Sequence, residues 1–151
     1  MNYGKLPKRV AEYFLFLSNR DKKTLTPMQV LKLVYIAHGW HLGVYGRPLV
    51  NEPIEAWKYG PVIPSLYHEY KRYGSSVIKN GSSKSPAGFD SEEKSTIEQV
   101  WKGYGGRTGI SLSSLTHEPG TPWSITVQQT GHGSIISNDL IEDFYRRRAA
   151  S

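Results

Sequence analysis

The chain has 151 residues, 38% of them hydrophobic and 21% charged, which suffices for one core and is too few charges for a disordered chain. It contains no cysteine, which excludes a disulfide scaffold, thiolate metal sites and cysteine catalysis. The net charge of +6 sits at the ends: residues 1–23 carry +4, Arg146, Arg147 and Arg148 add +3, and the stretch between them stands at −1.

The first predicted helix runs from Pro7 to Asn19, with Val10, Phe14 and Leu17 on one stripe. Thr26-Pro27-Met28-Gln29 opens the second. Thr26 is the N-cap, Pro27 takes the first helical position, and Gln29 completes a capping box. The pattern continues through LKLVYIAHGW to His41, and only Gln29 and Lys32 are plainly polar. A helix apolar over most of its circumference belongs at the centre of a small bundle. Gly43, Gly46, Pro48, Pro53, Gly60, Pro61 and Pro64 then exclude a helix, so short strands are expected near Val44–Tyr45, Leu49–Val50 and Glu55–Lys58.

A third helix follows Pro64, with Leu66, Tyr67, Tyr70 and Tyr73 on its apolar side and Gly74 as its stop. Residues 75–89, rich in Ser, Gly and Lys, read as a flexible internal loop. Asp90 caps a fourth helix that buries Ile97, Val100, Trp101 and Tyr104 and ends at Gly105-Gly106. A short helix is expected over Ser111–Thr116, then a Pro-stiffened aromatic turn to Trp123. Residues 124–135 carry no decisive pattern beyond a turn at Gly131-His132-Gly133. Ser137 or Asn138 caps a last helix bearing Leu140, Ile141, Phe144 and Tyr145, followed by a basic tail over 146–151. The expectation is one mainly α domain over 1–151: a compact bundle of five to six helices around a central buried helix, with a small β-hairpin or short β element. No apolar leader opens the chain and no run approaches the roughly 20 residues that span a bilayer, so a soluble cytoplasmic protein is expected.

Candidate chemistry is sparse. His38-x-x-His41 has helical spacing for two metal ligands, but no third ligand stands at a matching position. The competing expectation is a half-buried His38 and a surface His41, with no metal. His117-Glu118 would pair a base with an acid, yet neighbouring side chains usually point apart, and His117 is expected to order its turn. The glycines from Gly103 to Gly109 follow a helix and lack the GK[ST] of a phosphate loop. No cofactor is expected. Lys5, Lys8, Arg9, Arg146, Arg147 and Arg148 form a candidate basic patch for nucleic acid, weighed against solvated helix faces. The most unusual segment is Glu55-Ala-Trp57-Lys-Tyr59-Gly60-Pro61-Val62, whose aromatics serve equally as interface anchors or as a cover for the core.

Taken in order, Leu31-Lys-Leu-Val-Tyr35-Ile-Ala-His38-Gly-Trp40, Gly46-Arg-Pro-Leu-Val50, Glu55-Ala-Trp57-Lys-Tyr59-Gly60-Pro61-Val62-Ile-Pro64 and Leu115-Thr116-His117 with Pro122-Trp123 form a recognisable set. The chain resembles the Panacea antitoxin-domain family, which includes SocA-like and phage-associated GepA-like proteins, from about residue 6 to 146. The resemblance implies an α-helical domain without catalysis that neutralises a cognate protein toxin by direct binding. It also implies an alternative, an adaptor that delivers the toxin to the ClpXP protease. A second copy of the chain stays open as a further partner, nucleic acid and membrane are not expected, and DNA-binding autoregulation is not carried over. A small hydrolase using the histidines is the remaining class. The expected partner-binding surface joins Trp57, Tyr59, Gly60, Pro61 and Val62 to the turn carrying His117, Pro122 and Trp123.

Overall fold

The computed structural model describes residues 4–79 and 85–151. Seven α-helices and three short strands are found among them: α1 (Pro7–Arg20), α2 (Pro27–Tyr45), β1 (Ile54–Trp57), β2 (Gly60–Val62), α3 (Pro64–Tyr70), α4 (Ser91–Tyr104), α5 (Gly109–His117), α6 (Pro122–Thr130), β3 (Ile135–Ile136) and α7 (Asn138–Ala150). A single 3₁₀ turn, Lys71–Tyr73, extends α3. The mainly α architecture around one central helix is as expected, with seven helices in place of five to six.

The central helix is α2. Thr26 Oγ1 accepts from the Gln29 amide and Gln29 Oε1 accepts from the Thr26 amide, so the capping box forms. Every residue from Val30 to Gly39 is buried, and α2 touches α1, α3, α4, α5, α7 and β2. The helix does not stop at His41. It runs through Val44 and Tyr45, where strand was expected, and ends at Gly46 with φ of 70°. The reason lies in α7. A Cβ on Gly39 would stand 2.2 Å from the Tyr145 ring, and one on Gly43 would stand 2.7 Å from the Tyr145 backbone. Gly43 is thus a packing groove inside the helix, not a break in it.

The extra helix is α6. Thr121 caps it by accepting from the Ser124 amide and Pro122 takes its first turn, which repeats the Thr-Pro signature at the start of α2. Asp90 and Glu93 form a second capping box on α4, and Ser137 caps α7. The expected flexible loop over 75–89 includes 80–84, which lie outside the described residues. On its flanks Ile78 and Phe89 are buried, and Arg9 donates to the Ala87 carbonyl while lying over the Phe89 ring.

The strands form one antiparallel sheet in the order β2-β1-β3. Register is set by Trp57 opposite Gly60 and Glu55 opposite Val62, which leaves Lys58 and Tyr59 as a two-residue turn. Pro61, with no amide hydrogen, is tolerated because β2 is an edge strand. Ile54 and Ala56 face the core, while Glu55 and Trp57 occupy the half-buried face. Leu49–Val50, expected as a strand, makes only an isolated bridge to Lys5.

Candidate functional site

The β1–β2 turn is held from three directions. Trp123 Nε1 on α6 donates to the Trp57 carbonyl at 2.6 Å, Ser113 Oγ on α5 donates to the Tyr59 carbonyl at 2.9 Å, and Lys32 Nζ on α2 donates to the Pro61 carbonyl at 2.9 Å. Three alternate carbonyls of one short segment are thereby satisfied by side chains from three helices. Gly60 permits this arrangement. Its φ is 119°, and a Cβ there would lie 2.8 Å from Lys32 Nζ.

The two predicted segments are therefore neighbours. Their side chains are not alike in exposure. Tyr59 is 65% exposed, Trp57, His117 and Trp123 are half-buried, and Gly60, Pro61, Val62 and Pro122 are buried. Trp57 Nε1 donates to Glu55 Oε1 at 2.8 Å and its ring meets Tyr67 edge-on at 5.0 Å. Trp123 packs between His117 and His132, at 5.5 and 6.0 Å. His117 Nδ1 lies 3.5 Å from Ser113 Oγ, one turn earlier on α5.

On the Trp57 side of the turn lies an open pocket of about 480 Å³. Its walls include Met28, Trp57, Tyr59 and Tyr67, and three lysines line it: Lys32, Lys58 and Lys71. No carboxylate lines it. Met28 is 40% exposed and would stand 3.1 Å from a Cβ on Gly109, whose neighbour Ile110 is 78% exposed. Lys32 is the unexpected member. It is 3% exposed, and burial lowers its pKa to about 7. A lysine inside a helix otherwise apolar on every side was the signal for it in the sequence. Nothing in the sequence marked Ser113, whose role depends on where the turn lies.

The histidines of α2 are structural. His41 is buried, not at the surface, with Nδ1 2.8 Å from Thr96 Oγ1. His38 is fully buried, not half-buried. Its Nδ1 faces the Leu49 and Val50 amides at 3.3 Å and its Nε2 faces Asn138 Oδ1 at 2.9 Å, so the network assigns a neutral ring with the proton on Nε2. Burial, with His41 nearby, lowers its pKa to about 4 against the opposing pull of Asn138. Among the described residues no three His, Asp or Glu side chains gather as metal ligands.

The candidate basic patch is already engaged. Lys5 pairs with Glu93 at 2.9 Å, Lys8 with Glu69 at 3.7 Å and Arg147 with Asp143 at 2.7 Å. Arg146 pairs with Glu142, Arg9 bonds Ala87, and Arg148 lies over the Phe144 ring at 4.5 Å. The three C-terminal arginines lie within α7 and not beyond its end. No helix among the described residues is long and apolar enough to cross a membrane.

The chain is a helical bundle whose short hairpin is clamped by three helices and flanked by an apolar, lysine-lined pocket. Residues 30–124 match the family described as Antitoxin SocA-like, Panacea domain, and the chain belongs to this family. The matched span begins at Val30 on α2 and ends at Ser124 on α6, so it contains Lys32, the hairpin and Trp123. Antitoxin SocA of Caulobacter vibrioides (strain NA1000 / CB15N) is 32% identical over 141 residues, covering 84% of this chain and 75% of its own length. No solved structure matches the chain.

Proposed function

We propose that this protein is the antitoxin of a toxin–antitoxin pair and that it neutralises a cognate protein toxin by direct, stoichiometric binding, without catalysis. The observation that carries this reading is the family membership together with the 32% identity to Antitoxin SocA. The geometry favours the face around the β1–β2 turn as the binding surface. Its backbone is clamped by Lys32, Ser113 and Trp123, so docking there orders little chain. It presents Tyr59 and the half-buried Trp57, residue types that dominate interface energetics. The internal partners of all six candidate basic residues weigh against nucleic acid as the partner.

The test is coexpression with the product of the neighbouring gene, in cells with and without ClpX. Protection that persists without ClpX, with both proteins recovered as one complex, is the expected outcome. Protection lost without ClpX would instead identify delivery to the protease. No protection in either strain would sink the antitoxin reading with that partner.

A further inference from the structure

We infer that Lys32 Nζ, at the base of the pocket beside the β1–β2 turn, receives the carboxylate of an acidic side chain on a protein partner, while the apolar walls hold that residue's neighbours. The inference rests on the binding role proposed above and names the chemistry of the partner.

Lys32 is the starting point. An ammonium has three donors, and Lys32 shows one acceptor, the Pro61 carbonyl at 2.9 Å. It is 97% buried yet stands next to open space, because it lines the pocket along with Met28 and Trp57. A buried cation without a counter-charge is costly, and Lys32 belongs to no ion pair among the described residues. Its lowered pKa reports that cost. Lys58 and Lys71 line the same pocket, so the potential inside it is positive. Glu55, two residues before Trp57 on β1, accepts from Trp57 Nε1 and is not among the residues that line the pocket. Charge complementarity therefore calls for an anion.

The surroundings select its source. The volume of about 480 Å³ exceeds what one carboxylate needs, and the walls are aromatic and aliphatic. Tyr59 in the pocket wall is 65% exposed, so apolar surface runs from the pocket out to solvent. An occupant that fills the base and also covers that flank is the surface of a protein, with an Asp or Glu between apolar residues. Carboxylate oxygens within hydrogen-bond reach of Lys32 would complete its donor set and restore its charge.

The experiment uses the intact chain with ¹³C-labelled lysine and three capped tripeptides as probes: Ac-Leu-Glu-Phe-NH₂, its neutral counterpart Ac-Leu-Gln-Phe-NH₂, and Ac-Leu-Gln-Phe-OH with the carboxylate at the chain end. Saturation with the Glu peptide is expected to raise the Lys32 titration midpoint by about one pH unit or more. The Gln amide is expected to bind about tenfold or more weaker and to leave the midpoint in place. Lys32→Met, which keeps the apolar volume, should lose the preference for Glu over Gln while retaining the fold by circular dichroism. Equal responses to Glu and Gln peptides, or none at Lys32, would overturn the inference. Stronger binding of the chain-end carboxylate would overturn the assignment to a side chain. Lys32→Met that still protects cells fully would overturn the inference and leave the antitoxin reading standing. A wild-type chain that prefers the Glu peptide but protects against no toxin would do the reverse.

Discussion

His38 and Lys32 are two polar side chains buried on the same helix, less than two turns apart, and they solve burial in opposite ways. His38 looks toward α7 and the Leu49–Val50 segment, where both ring nitrogens have partners and the ring is neutral. Around it the packing is closed: Gly39 and Gly43 admit Tyr145 so tightly that no Cβ fits. Lys32 looks toward the β1–β2 turn, where a single carbonyl answers three donors and a pocket stands open. The C-terminal half of α2 is closed by α7, whereas at Lys32, near its N-terminal end, two donors of the ammonium have no acceptor among the described residues and a pocket stands open.

The largest effect should come from moving the lysine by one residue. Leu33 is fully buried and is not among the residues that line the pocket beside Lys32, so Leu33→Lys is expected to cost about 4 kcal/mol or more in urea unfolding. A variant as stable as the parent would show that the core around Leu33 is not closed. Conversely, Lys32→Met should stabilise the free protein at pH 7 by roughly 2–4 kcal/mol: the fall from 10.5 to about 7 corresponds to about 5 kcal/mol at about 1.4 kcal/mol per pH unit, less about 1–3 kcal/mol for the Pro61 carbonyl left unpaired. The sign follows from a folded-state pKa of about 7 below the ordinary 10.5. The unfolded chain binds the extra proton between those values, so the parent gains stability as pH rises from 7 to 10.5 and the advantage of Lys32→Met fades over that window. Parallel denaturation curves at pH 7 and pH 10 check it, and a destabilised Lys32→Met would reverse the comparison.

His38→Leu is expected to cost about 2–3 kcal/mol, because the Leu49 and Val50 amides lose their acceptor. His38 has a folded pKa of about 4, below its ordinary 6.5. Its contribution is fully present above pH 6.5 and is lost as pH falls toward 4, so the gap between parent and His38→Leu should narrow across that interval. Melting curves at pH 7 and 4.5 would expose a gap that stays constant. The smallest change in stability belongs to the open side. Tyr59→Ala should stay within about 0.5 kcal/mol of the parent in stability. It should nonetheless weaken the toxin complex by about 2 kcal/mol in calorimetry. Full affinity with Tyr59→Ala would move the interface away from the turn.

Local signals in the chain determined most of the helices. The capping box at Thr26–Gln29, the Asp90 cap, the stop at Gly74 and the all-round apolar α2 are properties of a few adjacent residues, so they are legible without a fold. The same Thr-Pro code opened α6 at Thr121-Pro122, but the weak apolar periodicity after it hid the helix. The motifs also marked Trp57, Tyr59 and Trp123 as special, and the fold joins them through the Trp123 bond to the Trp57 carbonyl. Only the tertiary structure decided what Gly43, His41, Ser113 and Lys32 do. Gly43 reads as a helix breaker until α7 is laid across it, and His41 reads as a surface residue until α4 brings Thr96 to its ring. Lys32 reads as a polar exception on an apolar helix until the Pro61 carbonyl and the pocket stand beside it. The physical reason is the same in each case: propensity and capping act within one turn of helix, whereas burial, close approach and hydrogen-bond completion depend on groups distant in sequence, whose positions no local pattern encodes.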